Sequence, residues 1–69
     1  MRNWRTKLYM DFVSIYEYDG EEYVMHICDV PTKPKGQEHA LRIANDICEI
    51  KNTVFADEFE AEQIMKHSL

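Results

Sequence analysis

Between Leu8 and Val30 the side chains alternate with a period of two, and this predicts one long antiparallel β-hairpin. Leu8, Met10, Phe12, Ser14, Tyr16 and Tyr18 share one face. Tyr9, Asp11, Val13, Ile15 and Glu17 share the other, which is polar at its ends and apolar at its centre. Asp19-Gly20 supplies the positive φ values of a tight turn between right-twisted strands. In the returning strand Tyr23, Met25 and Ile27 alternate with Val24, His26, Cys28 and Val30, and Pro31 ends the pairing because it lacks an N–H. Two loop lengths keep the same faces. A two-residue turn at Asp19-Gly20 pairs Tyr16 with Tyr23, Ser14 with Met25 and Phe12 with Ile27, and sets Glu17 against Glu22, an unfavourable like-charge pair. A four-residue loop from Asp19 to Glu22 pairs Tyr18 with Tyr23 and removes that clash. A three-residue loop mixes the faces and ranks last, because register follows the hydrophobic pattern. In either favoured register Tyr23, Met25 and Ile27 join the aromatic face, while Val24, His26, Cys28 and Val30 lie beside Val13 and Ile15.

Residues Pro31 to Gly36 form a connector stiffened by two prolines, and a helix follows. From Gln37 to Lys51, Ala40, Leu41, Ile43, Ala44, Ile47, Cys48 and Ile50 occupy about half of a helical wheel, and polar residues fill the rest. Asn52 is a candidate left-handed stop, and Thr53-Val54-Phe55 has the β-branched and aromatic character of a short third strand. Asp57 with Glu60 has the spacing of a capping box, which predicts a second, short C-terminal helix from Glu58 to His67. Its apolar side is Ala61, Ile64 and Met65, with Phe59 pointing elsewhere. The expected architecture is a single α+β domain spanning residues 1–69, with the hairpin as platform and one amphipathic helix packed on it. Two helices cannot shelter both faces of such a sheet, so aromatic surface drawn from Trp4, Tyr9, Tyr16, Tyr18 and Tyr23 is expected to stay bare.

Charge sharpens this picture. The chain of 69 residues carries 13 Asp and Glu against 8 Lys and Arg, a formal charge of −5, which argues against phosphate-driven binding to nucleic acid. Arg2, Arg5 and Lys7 form a basic N-terminal arm, whereas Asp11, Glu17, Asp19, Glu21, Glu22 and Asp29 mark the hairpin, and a second acidic run follows at Asp57, Glu58, Glu60 and Glu62. Two cysteines, a polar N-terminus without a signal-type apolar stretch and the lack of a bilayer-length apolar run predict a cytoplasmic protein with reduced thiols and no membrane association.

Catalytic signatures are missing. No Gly-flanked serine, Gly-rich phosphate loop or paired-histidine zinc motif occurs, so no enzymatic activity and no cofactor are expected. One cluster carries candidate metal chemistry: His26 and Cys28 are two apart on a strand, and Cys48 lies on the inner face of the helix, with His39 or Asp29 able to complete a tetrahedron. Buried cysteines more often act as small hydrophobes, so no metal is assigned.

What remains is a partner-binding reading. Tyr9, Tyr16, Tyr18 and Tyr23 serve as anchors, and Asp11, Glu17, Asp19, Glu21 and Glu22 steer towards a basic site on a larger protein complex that handles nucleic acid. In size, charge and scarcity of motifs the chain resembles the small acidic inhibitors of phages, anti-CRISPR proteins among them. The alternative is a homodimeric regulatory or antitoxin-like subunit acting through its sheet. Asp19-Gly20, the strand Tyr23 to Val30, Asp29-Val30-Pro31, a turn-rich linker and an Ala/Leu helix from Glu38 are similar in order to the elements of HicB-type antitoxins. That likeness covers about half the chain, and Lys33-Pro34-Lys35-Gly36 stands where those proteins have a glycine-rich return.

Overall fold

The computed structural model describes the backbone of residues 1–67 and the side chains of residues 1–63. Three antiparallel strands, β1 (Arg2–Leu8), β2 (Phe12–Asp19) and β3 (Glu22–Pro31), form one sheet in the order β1-β2-β3, and one helix, α1 (Gln37–His67), packs on one side of it. The α+β class expected from the sequence is therefore present, with the helix start at Gln37 as read and the connector shortened by one residue, since Pro31 still pairs with Phe12 at the end of β3. Three elements differ.

The basic arm is a strand. Trp4, Thr6 and Leu8 alternate with Asn3, Arg5 and Lys7, and β1 pairs with β2 from Arg2 opposite Asp19 to Leu8 opposite Val13. Only Trp4 and Leu8 are large apolar residues, so the period-two signal is carried largely by polar side chains. The outgoing arm of the expected hairpin is accordingly broken at Tyr9, where the chain turns, and restarts as β2 at Phe12. Thr32 pins this turn to the connector: its N–H donates to Asp11 O at 3.0 Å and its hydroxyl to Met10 O at 3.1 Å.

The C-terminal half is one continuous helix, in place of a stop at Asn52, a short strand and a second helix. Thr53, Val54 and Phe55 are helical because Phe55 extends the inward row Ala40, Ala44, Cys48, Lys51 at helical spacing and meets Trp4 edge-on at 6.4 Å. Packing here outweighs β-propensity. The Thr53 hydroxyl bonds back to Glu49 O at 2.9 Å within the helix. Asn52 does not cap. Its side-chain oxygen accepts from Trp4 N–H at 2.6 Å and its amide donates to Trp4 O at 3.1 Å, so it occupies the outer edge of β1 as a strand neighbour would. Of the apolar side expected after Glu58, Ile64 and Met65 lie outside the described side chains.

The buried core is Val13 and Ile15 of β2 with Ala40, Ala44 and Cys48 of α1, flanked by Trp4, Ile27, Cys28, Val30, Leu41 and Ile47. The two alanines let the helix lie close on β2. Glu17 is also buried on this side, 7% exposed, and its carboxylate accepts from Trp4 Nε1 at 3.1 Å and faces Arg2 at 3.6 Å. Among the described residues no buried side-chain polar atom lacks a partner, and no helix is long and apolar enough to cross a membrane.

Replacing Asn52 with Ala removes both bonds to the β1 edge and is expected to lower stability by about 1–3 kcal/mol in urea unfolding. An unchanged midpoint would show that the helix is not docked through this contact. Ile15→Ala is expected to cost about 2–5 kcal/mol.

Candidate functional site

β3 carries two bulges, and they decide what the open side of the sheet displays. The β2–β3 loop has two residues, Gly20 and Glu21, with Asp19 opposite Glu22, Tyr18 opposite Tyr23, and Gly20 left-handed at φ 63°. The Tyr18–Tyr23 pair is the one expected for the longer loop. The register then shifts at Val24, which places Met25 opposite Glu17 and His26 opposite Tyr16, and again at Ile27, which places Cys28 opposite Ile15 and Asp29 opposite Ser14. Each shift moves the following residues to the other face.

The consequences correct the sequence reading in both directions. Tyr23 joins the aromatic face as expected, but Met25 does not, and Ile27 packs on the core. His26 leaves the side of Val13 and Ile15 for the aromatic face, while Cys28 and Val30 stay beside them. His26 and Cys28 therefore project to opposite sides, so the ligand set of His26, Cys28 and Cys48 does not converge. No group of three metal-ligating side chains occurs among the described residues. Cys28 and Cys48 are free thiols at the core, and burial, followed by the neighbouring Cys28, pushes the Cys48 thiol above its ordinary value.

On the open side four tyrosines and a histidine are joined. The Tyr16 ring lies 6.0 Å from Tyr23 and 5.3 Å from His26, and Tyr23 meets Tyr18 edge-on at 6.0 Å. Tyr9 stacks on Phe12 at 4.8 Å, and its hydroxyl is 3.2 Å from that of Tyr16. With Tyr9 as donor, this bond holds the Tyr9 hydroxyl above the ordinary tyrosine value and Tyr16 below it. Ser14 donates to Asp29 Oδ1 at 2.6 Å, and His26 Nε2 lies 2.8 Å from the same oxygen. Ser14 and His26 thus meet the carboxylate separately, and this arrangement lacks the serine-to-histidine contact of a nucleophile and its base. The Ser14 bond first, then His26, holds the Asp29 carboxyl below its ordinary value of 3.8.

β1 adds cations that the hairpin lacks. The Arg5 guanidinium lies over Tyr18 at 4.4 Å and binds Glu21 at 3.1 Å, and Lys7 lies over Tyr9 at 5.4 Å. Tyr9, Tyr16, Tyr18 and Tyr23 are therefore brought together. Asp19, Glu21 and Glu22 surround the turn beside them, with Asp19 3.2 Å from the Met1 amino group. Asp11 is exposed at the β1–β2 turn. Glu17 is separated from the set, on the helix side, and so is Trp4, which lies against Phe55 and under Lys51. Ser14 lies on this face as the alternation predicts, whereas His26, Asp29, Arg5 and Lys7 were not expected there; Arg5 and Lys7 were findable from the alternation in β1. No family model, curated protein or solved structure matches the chain.

Asp29 gives a pH prediction. Its folded-state value lies below 3.8, so its contribution to stability is complete above that pH and is lost as the pH falls from 3.8 through the folded-state value. Ser14→Ala is expected to raise the Asp29 carboxyl towards 3.8 in a carbon-detected NMR titration. A titration curve unmoved by the substitution would show that the Ser14 bond is not made.

Proposed function

We propose that this chain is a small non-catalytic protein-binding module, an inhibitor or adaptor that seats its tyrosine face and the acidic β2–β3 turn on a basic site of a larger complex that handles nucleic acid. The supporting observation is the open side of the sheet: Tyr9, Tyr16, Tyr18 and Tyr23 lie together where no helix covers them, next to Asp19, Glu21 and Glu22. Ring-to-ring and cation contacts hold these side chains in place, so little rotamer freedom is lost when a partner docks. Tyrosine is among the residues that most often carry binding energy at interface centres. The net charge of −5 directs approach to a Lys- and Arg-rich surface, and the channels of nucleic-acid-handling complexes have that character. An anti-defence role of the kind small acidic phage proteins play in the cytoplasm fits these properties.

Capture of the partner from the source cell with tagged chain, followed by titration, tests this reading. Tyr16→Ala and Tyr23→Ala are each expected to weaken binding by roughly 30-fold, and affinity is expected to fall steadily with added salt. Wild-type affinity in both tyrosine variants, or a dissociation constant indifferent to ionic strength, would remove the proposal.

A further inference from the structure

The helix has a second apolar row that its own sheet leaves uncovered. Ile43, Ile47, Ile50 and Val54 follow one another at spacings of four, three and four residues, beside the core row of Ala40, Ala44 and Cys48. Ile47 is partly packed on the core, but Ile43 is 39% exposed, Val54 40% and Ile50 68%. The row borders β3, since Ile43 and Val30 line one shallow cleft, and the exposed Met25 of β3 lies on the same, helix side of the sheet.

We infer that this row is a dimer interface in which α1 pairs antiparallel with α1 of a second copy. The spacing four, three, four reads the same in both directions. A two-fold axis passing between residues 48 and 49 therefore sets Ile43 against the second copy's Val54 and Ile47 against its Ile50, with the reciprocal contacts generated at once. This is the packing of an antiparallel helix seam.

Charge fixes the direction. Exposed Lys33, Lys35 and Arg42, the last 3.7 Å from Glu38, leave the N-terminal end of the row net basic, and exposed Asp57, Glu58, Glu60 and Glu62 lie at its C-terminal end. Antiparallel pairing puts the basic end of each copy on the acidic end of the other, whereas parallel pairing stacks four carboxylates on four. The size of the core points the same way: among the described residues, its five buried apolar residues include two alanines and a cysteine, a small core for a domain of this length. The row lies on the helix side of the sheet, so the pairing leaves the tyrosine face open, and it stands or falls independently of partner docking.

Sedimentation equilibrium on the full chain tests the pairing. The wild type is expected at twice its 8.2 kDa mass, and Ile50→Glu at 8.2 kDa with an unchanged circular dichroism spectrum. Glu60→Lys with Glu62→Lys is expected to weaken the dimer about two- to fivefold, and adding Lys33→Glu with Lys35→Glu is expected to restore it. Should Ile50→Glu fail to fold, these charge variants decide alone. A wild type still at 8.2 kDa at roughly 1 mM, a folded Ile50→Glu that dimerises as before, or charge variants without mutual rescue would each overturn the inference.

Discussion

One helix set against three strands is the constraint from which the rest follows. A helix with its side chains is about 10–12 Å across, and three strands at about 4.8 Å spacing present a wider surface on each side. α1 sits over β2 and towards β1, where Asn52 takes the place of a fourth strand at Trp4. Everything that α1 does not reach is left to other solutions. The far side of the sheet covers itself with tyrosines whose rings touch one another, and the flank over β3 keeps an apolar row in contact with solvent.

The far side is stable in water because its polar groups are spoken for. Ser14, the most deeply placed of them, donates a hydrogen bond to Asp29, and Asp29 also meets His26. Arg5 joins the sheet to the turn by spanning Tyr18, Gly20 O and Glu21. Such a surface is rigid and polar at its edges, with aromatic area in the middle. That is the composition of a protein-binding patch, whose anchors are amphipathic rings and whose rim is charged.

The bulges in β3 are what make this composition. A regular ladder carrying Tyr18 opposite Tyr23 would have placed Met25 and Ile27 on the tyrosine side and buried His26 near Ile15. Two extra residues, at Val24 and Ile27, exchange the greasy pair for His26 and Asp29. The same exchange splits His26 from Cys28 and dissolves the metal-like grouping of His26, Cys28 and Cys48. The bulges also break the regular pairing along β3, which has no further strand beside it in the sheet.

By itself the sequence determined the local elements that rest on neighbouring residues. The alternation of Phe12 to Tyr18, the glycine turn, the proline connector and the helix from Gln37 all follow from periodicity and backbone chemistry, and so do the buried places of Val13, Ile15, Ala40, Ala44 and Cys48. Tyr16, Tyr18 and Tyr23 were legible as one face, whereas Tyr9, which the alternation sets on the opposite face, reaches them because the chain turns there. The tertiary structure alone decided which partners each strand took. A polar segment such as Arg2–Leu8 becomes a strand only because β2 offers it a ladder, Thr53–Phe55 stays helical only because Phe55 finds Trp4, and Glu17 is buried only because Trp4 and Arg2 meet it there. Bulges belong to the same class: they depend on how two strands fit around a helix, and no single strand's pattern contains that information.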